Sequence, residues 1–447
     1  DLVADWLDRE NTWNEVAWRP DVLARRLFAW LGQHDFFCAS ADDAYRRRYL
    51  AGLVCQGKHL ARVLPAGAQG IDLLASIKGL VVAGLALPDR DAWIAQGLRH
   101  LERETARQIL PDGGHVSRCP AVHTKALRHL VDVRAALLAA GQPAPSFLMS
   151  AIDRAAPFLR MVRHGDGGLA LFNGGGEDLS WLVDMLLAQA DARGRPPLSA
   201  PHSGFERLAA NRTVVLVDTG KPPAPGFGTP PHAGTLSFEM SIGKERLVVN
   251  CGAREGPSQE WATVQRTTAA HSTLVIDDKN SAGILPHGDL RGGPTAVECR
   301  REEADGSVWL TTSHDGYVKP FGLVHQRRLF VSARGDDIRG EDKLIRQATP
   351  ASPARGFTVR FHLHPTVHAS LVQDASAVLI QLPRGNGWRL RASGAAVSLS
   401  ESVYLGGGDD DPRRGEQIVL SGVLGPPDAE ECVAAVKWAL RRIPRPG

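Results

Sequence analysis

No two of the six cysteines stand in a Cys-x-x-Cys pair; Cys38, Cys55, Cys119, Cys251, Cys299 and Cys432 are scattered along 447 residues. That spacing excludes a zinc ribbon and a dense disulfide framework, and predicts buried free thiols. No run of 18 apolar residues occurs, so no transmembrane helix and no membrane insertion are expected. A block of one charge sign is missing too. Lys+Arg 52 against Asp+Glu 49 leaves +3, which gives no basis for a nucleic-acid partner. The basic doublets Arg25-Arg26, Arg300-Arg301 and Arg327-Arg328 are expected on solvated faces. Tyrosine is scarce: there are four, with none between Tyr49 and Tyr317. There is no low-complexity segment and no repeat of fixed period. The chain starts at Asp1 without a signal-peptide pattern. Either a removed targeting segment or a missing start is expected, with the periplasm or cell envelope favoured over the cytoplasm.

What is present divides into two kinds of periodicity. Up to about residue 190 the apolar residues recur at helical spacing. Val22, Leu23, Leu27 and Trp30 form one stripe, opened by Pro20-Asp21. Tyr45, Tyr49, Leu53, Leu60 and Leu64 form a second, starting at Asp42. A third runs from Gly70 to Leu87, and a fourth carries Ile94, Leu98, Leu101 and Ile109, with Asp89 and Asp91 as capping candidates. Three more centre on Leu130, Ile152 and Val183. Seven amphipathic helices joined by short turns predict antiparallel helical hairpins.

Asp191–Pro201, rich in Pro and Gly, is the predicted boundary, giving a helical domain over 1–192 and a second domain over 203–447. Beyond it short alternating runs recur, among them Thr213–Val217, Ser307–Thr312, Leu323–Val331, Phe357–Leu363, Ala377–Leu382, Gly387–Arg391 and Gln417–Leu420. Their turn-punctuated spacing predicts an antiparallel β-sandwich.

One stretch of this second half organises the rest. It includes Pro230-Pro231-His232-Ala233-Gly234-Thr235-Leu236-Ser237-Phe238, then Asn250-Cys251-Gly252, then Arg266-Thr267-Thr268-Ala269-Ala270-His271-Ser272-Thr273. His232, Asn250 and His271 close three strand-like pieces, and neighbouring strands of one sheet would bring them together. The stretch resembles the signature of the heparinase II/III-like polysaccharide lyases. There a His-x-His-x-Asp-x-x-Ser-Phe motif is followed by Asp-x-Gly and then Arg-x-Thr-x-x-His-x-Thr. Here Pro230 replaces the leading His, and Gly234 and Asn250 replace the two Asp.

That resemblance implies an incomplete (α/α) toroid followed by the sandwich, with β-elimination of an acidic polysaccharide or oligosaccharide in the cleft between them. A base takes the C5 proton of a uronate, an acid protonates the leaving oxygen, and a cation must neutralise the carboxylate. In the helical half, Leu110-Pro111-Asp112-Gly113-Gly114-His115-Val116-Ser117-Arg118 falls where the family carries a His or Asn, and some alginate-cleaving relatives share its His-x-x-Arg. Arg118 is the candidate carboxylate clamp and His115 the donor or base. His271 completes the catalytic candidates from the sandwich.

The family also uses a Tyr from the helical domain and a His at the Pro230 position, both missing here. Tyr317 is the candidate substitute for the first. His164 and Asp166, in His164-Gly165-Asp166-Gly167-Gly168, together with Arg266, are the substrate-binding candidates. His232, Asn250 and His271 form a possible zinc site, against the alternative of hydrogen-bonded histidines bracing a loop. His362, His364 and His368 are expected to be structural. Two other readings follow: a glycan-binding relative that has lost the proton-transfer groups, and a glycoside hydrolase using Asp166, Glu177 or Asp178.

Overall fold

The computed structural model describes residues 2–10, 12–254, 258–286, 288–350, 352–372, 374, 376–407, 412–425 and 432–444. Among the described residues, nine α-helices precede the first strand: α1 (Leu2–Arg9), α2 (Pro20–Gly32), α3 (His34–Cys38), α4 (Asp43–Val63), α5 (Gly70–Ala86), α6 (Asp91–Gln108), α7 (Pro120–Ala139), α8 (Ser146–Met161) and α9 (Ser180–Ala190). Seven coincide with the predicted stripes. The short α1 and α3 have too few turns to show a period.

The hairpins form an incomplete toroid around α5, which packs on α2, α4, α6 and α7. Buried residues such as Leu74, Ile77, Leu80 and Val81 cover α5 on several sides, as a central helix requires. Gly79 lets α2 come close, since a Cβ there would lie 2.6 Å from the Cα of Ala24. The Asp42 side chain caps α4 by accepting from the Tyr45 N–H at 2.7 Å. The expected caps of α6 do not form: Asp89 has φ +57° and Arg90, the N-cap, makes no side-chain cap bond.

After Ala190 the chain turns through a left-handed Asp191, and strands begin at Ser199. Among the described residues three antiparallel sheets follow, two large ones of nine and eight strands and a small one of two. The facing sides of the two large sheets form a common core. Phe238 stacks on Trp438 with ring centroids 5.7 Å apart, and Phe361 meets Trp438 edge-on at 4.9 Å. The far side of the nine-stranded sheet is covered by the helical domain. Every residue of the strands Phe238–Ile242 and Glu245–Val249 is therefore buried. Alternation along the first turns Phe238 to the sandwich core and Glu239 to the helices.

The expectation that three adjacent strands carry His232, Asn250 and His271 needs correction. Phe238–Ile242 and Glu245–Val249 are hairpin partners. Leu274–Ile276 instead pairs with Gly356–Leu363, whose other end pairs with Glu245–Val249. The two short strands thus share one neighbour rather than pairing with each other, and His232 lies in a loop.

Two further expectations fail. Cys55, Cys299 and Cys432 are exposed, so only half of the thiols are buried. Arg327 is not on a solvated face. It is fully buried, giving Nε to Asp342 at 2.7 Å and Nη1 to the carbonyls of Leu236 and Ser272 at 2.8 and 2.9 Å. Strand alternation explains this, because Arg328 faces out and its neighbour must face in. Arg26 is half-buried, stacked on Trp6 at 3.9 Å, and burial lowers its pKa to about 10.

Candidate functional site at the domain seam

The seam is built from two loops of the helical domain laid on the nine-stranded sheet. The first follows α6. Gly113 (φ +90°) turns it, and Gly114 is so close to Ser203 that a Cβ would lie 1.9 Å from its hydroxyl. His115 is buried behind this turn. Its Nδ1 accepts from the Ser117 N–H at 3.1 Å, which leaves the proton on Nε2 to donate to Gln108 Oε1 at 3.0 Å. Burial, aided by the nearby His123, lowers its pKa to about 3. A ring with both nitrogens occupied and so little basicity is a poor base or donor for substrate.

Arg118 is equally committed. Its Nε donates to the Ser203 carbonyl at 2.7 Å, Nη1 to that of Lys221 at 2.6 Å and Nη2 to that of Gly204 at 3.0 Å, with an ion pair to Asp218. The guanidinium lies 4.9 Å above the Phe205 ring. Asp112 adds bonds to the Ser203 N–H and hydroxyl at 2.7 and 2.6 Å. The expected carboxylate clamp is a buried interdomain strut, its fork filled by the chain's own carbonyls.

The second loop, His164–Asp178, meets the strands of the organising stretch. His164 is buried, with Nε2 2.8 Å from Glu239 Oε2 and Nδ1 3.0 Å from the Ser241 hydroxyl. The other Glu239 oxygen accepts the Asn250 N–H at 2.8 Å. Asp166 receives Arg246 Nε at 2.8 Å, and Arg246 also reaches the Leu169 carbonyl at 2.9 Å. Burial alone would raise the Asp166 pKa, but Arg246 outweighs it and the pKa falls. His164 thus faces the sandwich fully shielded, while Asp166, 28% exposed, is tied to the strand through Arg246.

Sequence reasoning passed over Tyr404, which meets Glu177, named only as a hydrolase carboxylate, and His364, expected to be structural, beside this loop. The Tyr404 hydroxyl donates to Glu177, and His364 Nε2 lies 3.4 Å from the same carboxylate. Burial pushes Glu177 up, yet His364, Arg246 and Tyr404 together hold it at about 2. A tyrosine does reach the seam, from the strand Ala396–Tyr404 and not from the helical half. No local motif marks it. Glu239 did carry a signal: a carboxylate inside a strand with no other charge, flanked by Phe238 and Met240, needs a buried partner.

The third group is the histidine pair. His232 Nδ1 lies 3.2 Å from His271 Nε2, with the rings at 87°. His271 Nδ1 is 2.7 Å from the Thr267 carbonyl and must donate to it. Its Nε2 is therefore bare, and His232 Nδ1–H donates to it. Burial lowers both pKa values, that of His271 to about 4. Asn250 is nearby but engaged otherwise, with Oδ1 accepting the Ser272 N–H at 2.9 Å and Nδ2 buried without a partner.

This donor set does not fit zinc. The lone pair of His271 Nε2 is taken, Asn250 supplies no charge, and no third His, Cys, Asp or Glu joins the pair among the described residues. Gly234 admits no carboxylate either, because a Cβ there would lie 2.5 Å from the His271 ring. The arrangement is the loop-bracing alternative.

Two remaining candidates also lie away from any open surface. Arg266 gives Nε to the Pro231 carbonyl at 3.0 Å and Nη2 to that of Asp289 at 3.1 Å, pinning the His232 loop. Tyr317 is fully buried in the sandwich, its hydroxyl on the Leu274 carbonyl at 3.1 Å. It is a core residue, not a proton donor. Of the three hydrolase candidates, Asp166 and Glu177 both lie beside Arg246 and are lowered, which does not suit either as the general acid, and among the described residues Asp178 shares no hydrogen bond or ion pair with either.

Comparison with known proteins agrees with this architecture. Residues 192–439 match the family "Heparinase II/III-like, C-terminal", and residues 4–162 match "Heparinase II/III N-terminus". FtsZ-localized protein C of Caulobacter vibrioides (strain NA1000 / CB15N) is 33% identical over 457 residues, covering 99% of this chain and 77% of that protein. A crystal structure of heparinase III superposes with TM-score 0.78 at 15% identity, covering 99% of this chain and 72% of the other. A mutant of the heparan sulfate lyase HepC from Pedobacter heparinus gives TM-score 0.74 at 17% identity, covering 99% and 71%.

Proposed function

The chain belongs to the heparinase II/III-like family, and from that premise we propose that it is a non-catalytic member, a rigid binding body made from a polysaccharide-lyase framework. The observation that carries this reading is the commitment of the seam. His115, Arg118, His164, Asp166 and His271 all bond to the protein itself, and Pro230 stands where the family has a proton-transferring His.

Elimination at a uronate needs a base with a pKa near the working pH and an unpaired cation at the carboxylate. His115 and His271 are lowered far from that range, and Arg118 is bonded to the protein through all three of its nitrogens. The same groups serve well as cross-links between the domains. A relative with 33% identity is named for a location, FtsZ, and not for a reaction. We carry that placement to this chain as part of the proposal.

The test has two arms. Purified protein incubated with heparan, chondroitin and alginate chains should produce no ultraviolet-absorbing unsaturated uronate. A fluorescent fusion in the native host should collect with FtsZ. Turnover of an acidic polysaccharide, together with a periplasmic location, is the result that restores the lyase reading.

A further inference from the structure

The outer face of the eight-stranded sheet, opposite the sandwich core, carries a groove of about 640 Å³ remote from the seam. Its floor comes from register. Trp309 pairs with Phe330, Phe330 with Arg339, Arg339 with Ala439, and Ala439 with Arg391. Each lies on the outward side of its strand, so the five form one row running across the sheet. Small Ala439, between two arginines, makes a dip in it.

The neighbouring row is charged. Arg328 pairs with Glu341 and Glu341 with Lys437. That one carboxylate is shared by Arg328 at 3.9 Å, Lys343 at 3.2 Å and Lys437 at 3.7 Å. Arg328 and Lys437 keep most of their side chains in solvent. The groove therefore has aromatic and basic side chains on its floor and carries an excess of positive charge along its side.

We propose that this groove docks an acidic peptide segment of a partner protein, with an apolar side chain seated over Ala439 against Phe330 and carboxylates on Arg328 and Lys437. Charge complementarity selects an anionic partner. The tilt of 47° between the Trp309 and Phe330 rings, 4.9 Å apart, gives no flat platform for sugar rings and favours a peptide side chain. This deepens the reading of the protein as a binding body by naming the surface it uses.

The test uses the full chain and a short fluorescein-labelled peptide of alternating Glu and Leu. Anisotropy should rise on binding, weaken with salt, and stay flat for the same peptide with Lys in place of Glu. Arg328→Glu with Lys437→Glu should weaken binding about tenfold or more, as should Trp309→Ala. Unchanged melting of the charge-reversed protein shows that its fold is intact. Equal affinity in both proteins overturns the proposal, and so does binding of a heparin oligosaccharide with none of the peptide. Loss of FtsZ co-localisation only in the charge-reversed fusion supports it. A wild-type fusion that never co-localises sinks the placement at FtsZ, while the peptide titration still decides the groove.

Discussion

His164 Nε2 lies 2.8 Å from Glu239 Oε2, and both side chains are fully shielded from solvent although they come from different domains. The contact exists because Glu239 follows Phe238 in a strand buried on both faces. One face takes the sandwich core and the other takes the helical loop. Replacing His164 by Phe would keep the volume but strip the carboxylate of its interdomain partner. The expected cost is about 3–5 kcal/mol of unfolding free energy, as for other buried pairs broken on one side. Urea denaturation followed by circular dichroism measures it, and a loss below about 1 kcal/mol would show that the pair does not hold the domains.

Arg118 gives a second measurable consequence. As a carboxylate clamp its removal would spare stability and abolish turnover. As the strut seen here, Arg118→Ala leaves Asp218 and the carbonyls of Ser203, Gly204 and Lys221 bare. We expect a loss of about 3–5 kcal/mol and earlier proteolysis near the 191–201 linker. Arg118→Lys should rescue little, because a single ammonium cannot replace a planar fork. A variant as stable as the parent would free Arg118 for a role at the surface.

The helical half was legible because its stripes are long. Tyr45, Tyr49, Leu53 and Leu60 repeat over several turns, so α4 (Asp43–Val63) was found to within a residue. Strands such as Leu323–Val331 were legible by alternation. Val297–Ala304 was not, since its exposed edge position permits charge at nearly every residue. The site was harder. The sequence marks which residues carry chemistry, but not whether their donors are already spent. Arg118 looks the same on paper whether its fork meets a substrate or the Ser203 carbonyl. Tyr404 lies 227 residues from its partner Glu177, beyond any local pattern.

Zinc provides a third test. If the bond from His232 to His271 is the reason for the pair, zinc added to the purified protein should leave its melting temperature unchanged. Asn250→Asp supplies the missing charge beside both rings. That variant should melt higher with zinc than without, because binding to the folded state alone adds to stability. Stoichiometric zinc in the unmodified protein, lost on His271→Ala, would overturn the loop-bracing assignment.

The last expectation concerns acid. Burial lowers His115, His129 and His362 to about 3 and His123 and His271 to about 4, from an ordinary 6.5. In the unfolded chain all five protonate near 6.5, so below that pH the unfolded state binds more protons. Stability from these groups is complete above 6.5 and is lost as pH falls towards about 3–4, at about 1.4 kcal/mol per unit for each histidine. Together they would remove a typical native stability of about 5–15 kcal/mol within about two units. Glu177, held at about 2 against an ordinary 4.5, adds its own loss only below that value. Urea midpoints should therefore be level from about pH 8 to 7 and fall steeply below about 6.5, before most carboxylates titrate. His123→Gln, which keeps a donor for the Ala155 carbonyl, should reduce the slope by about 1.4 kcal/mol per unit. A midpoint that stays level down to about pH 5 would mean these rings are charged or open to solvent in the native protein, and the closed seam would have to be abandoned.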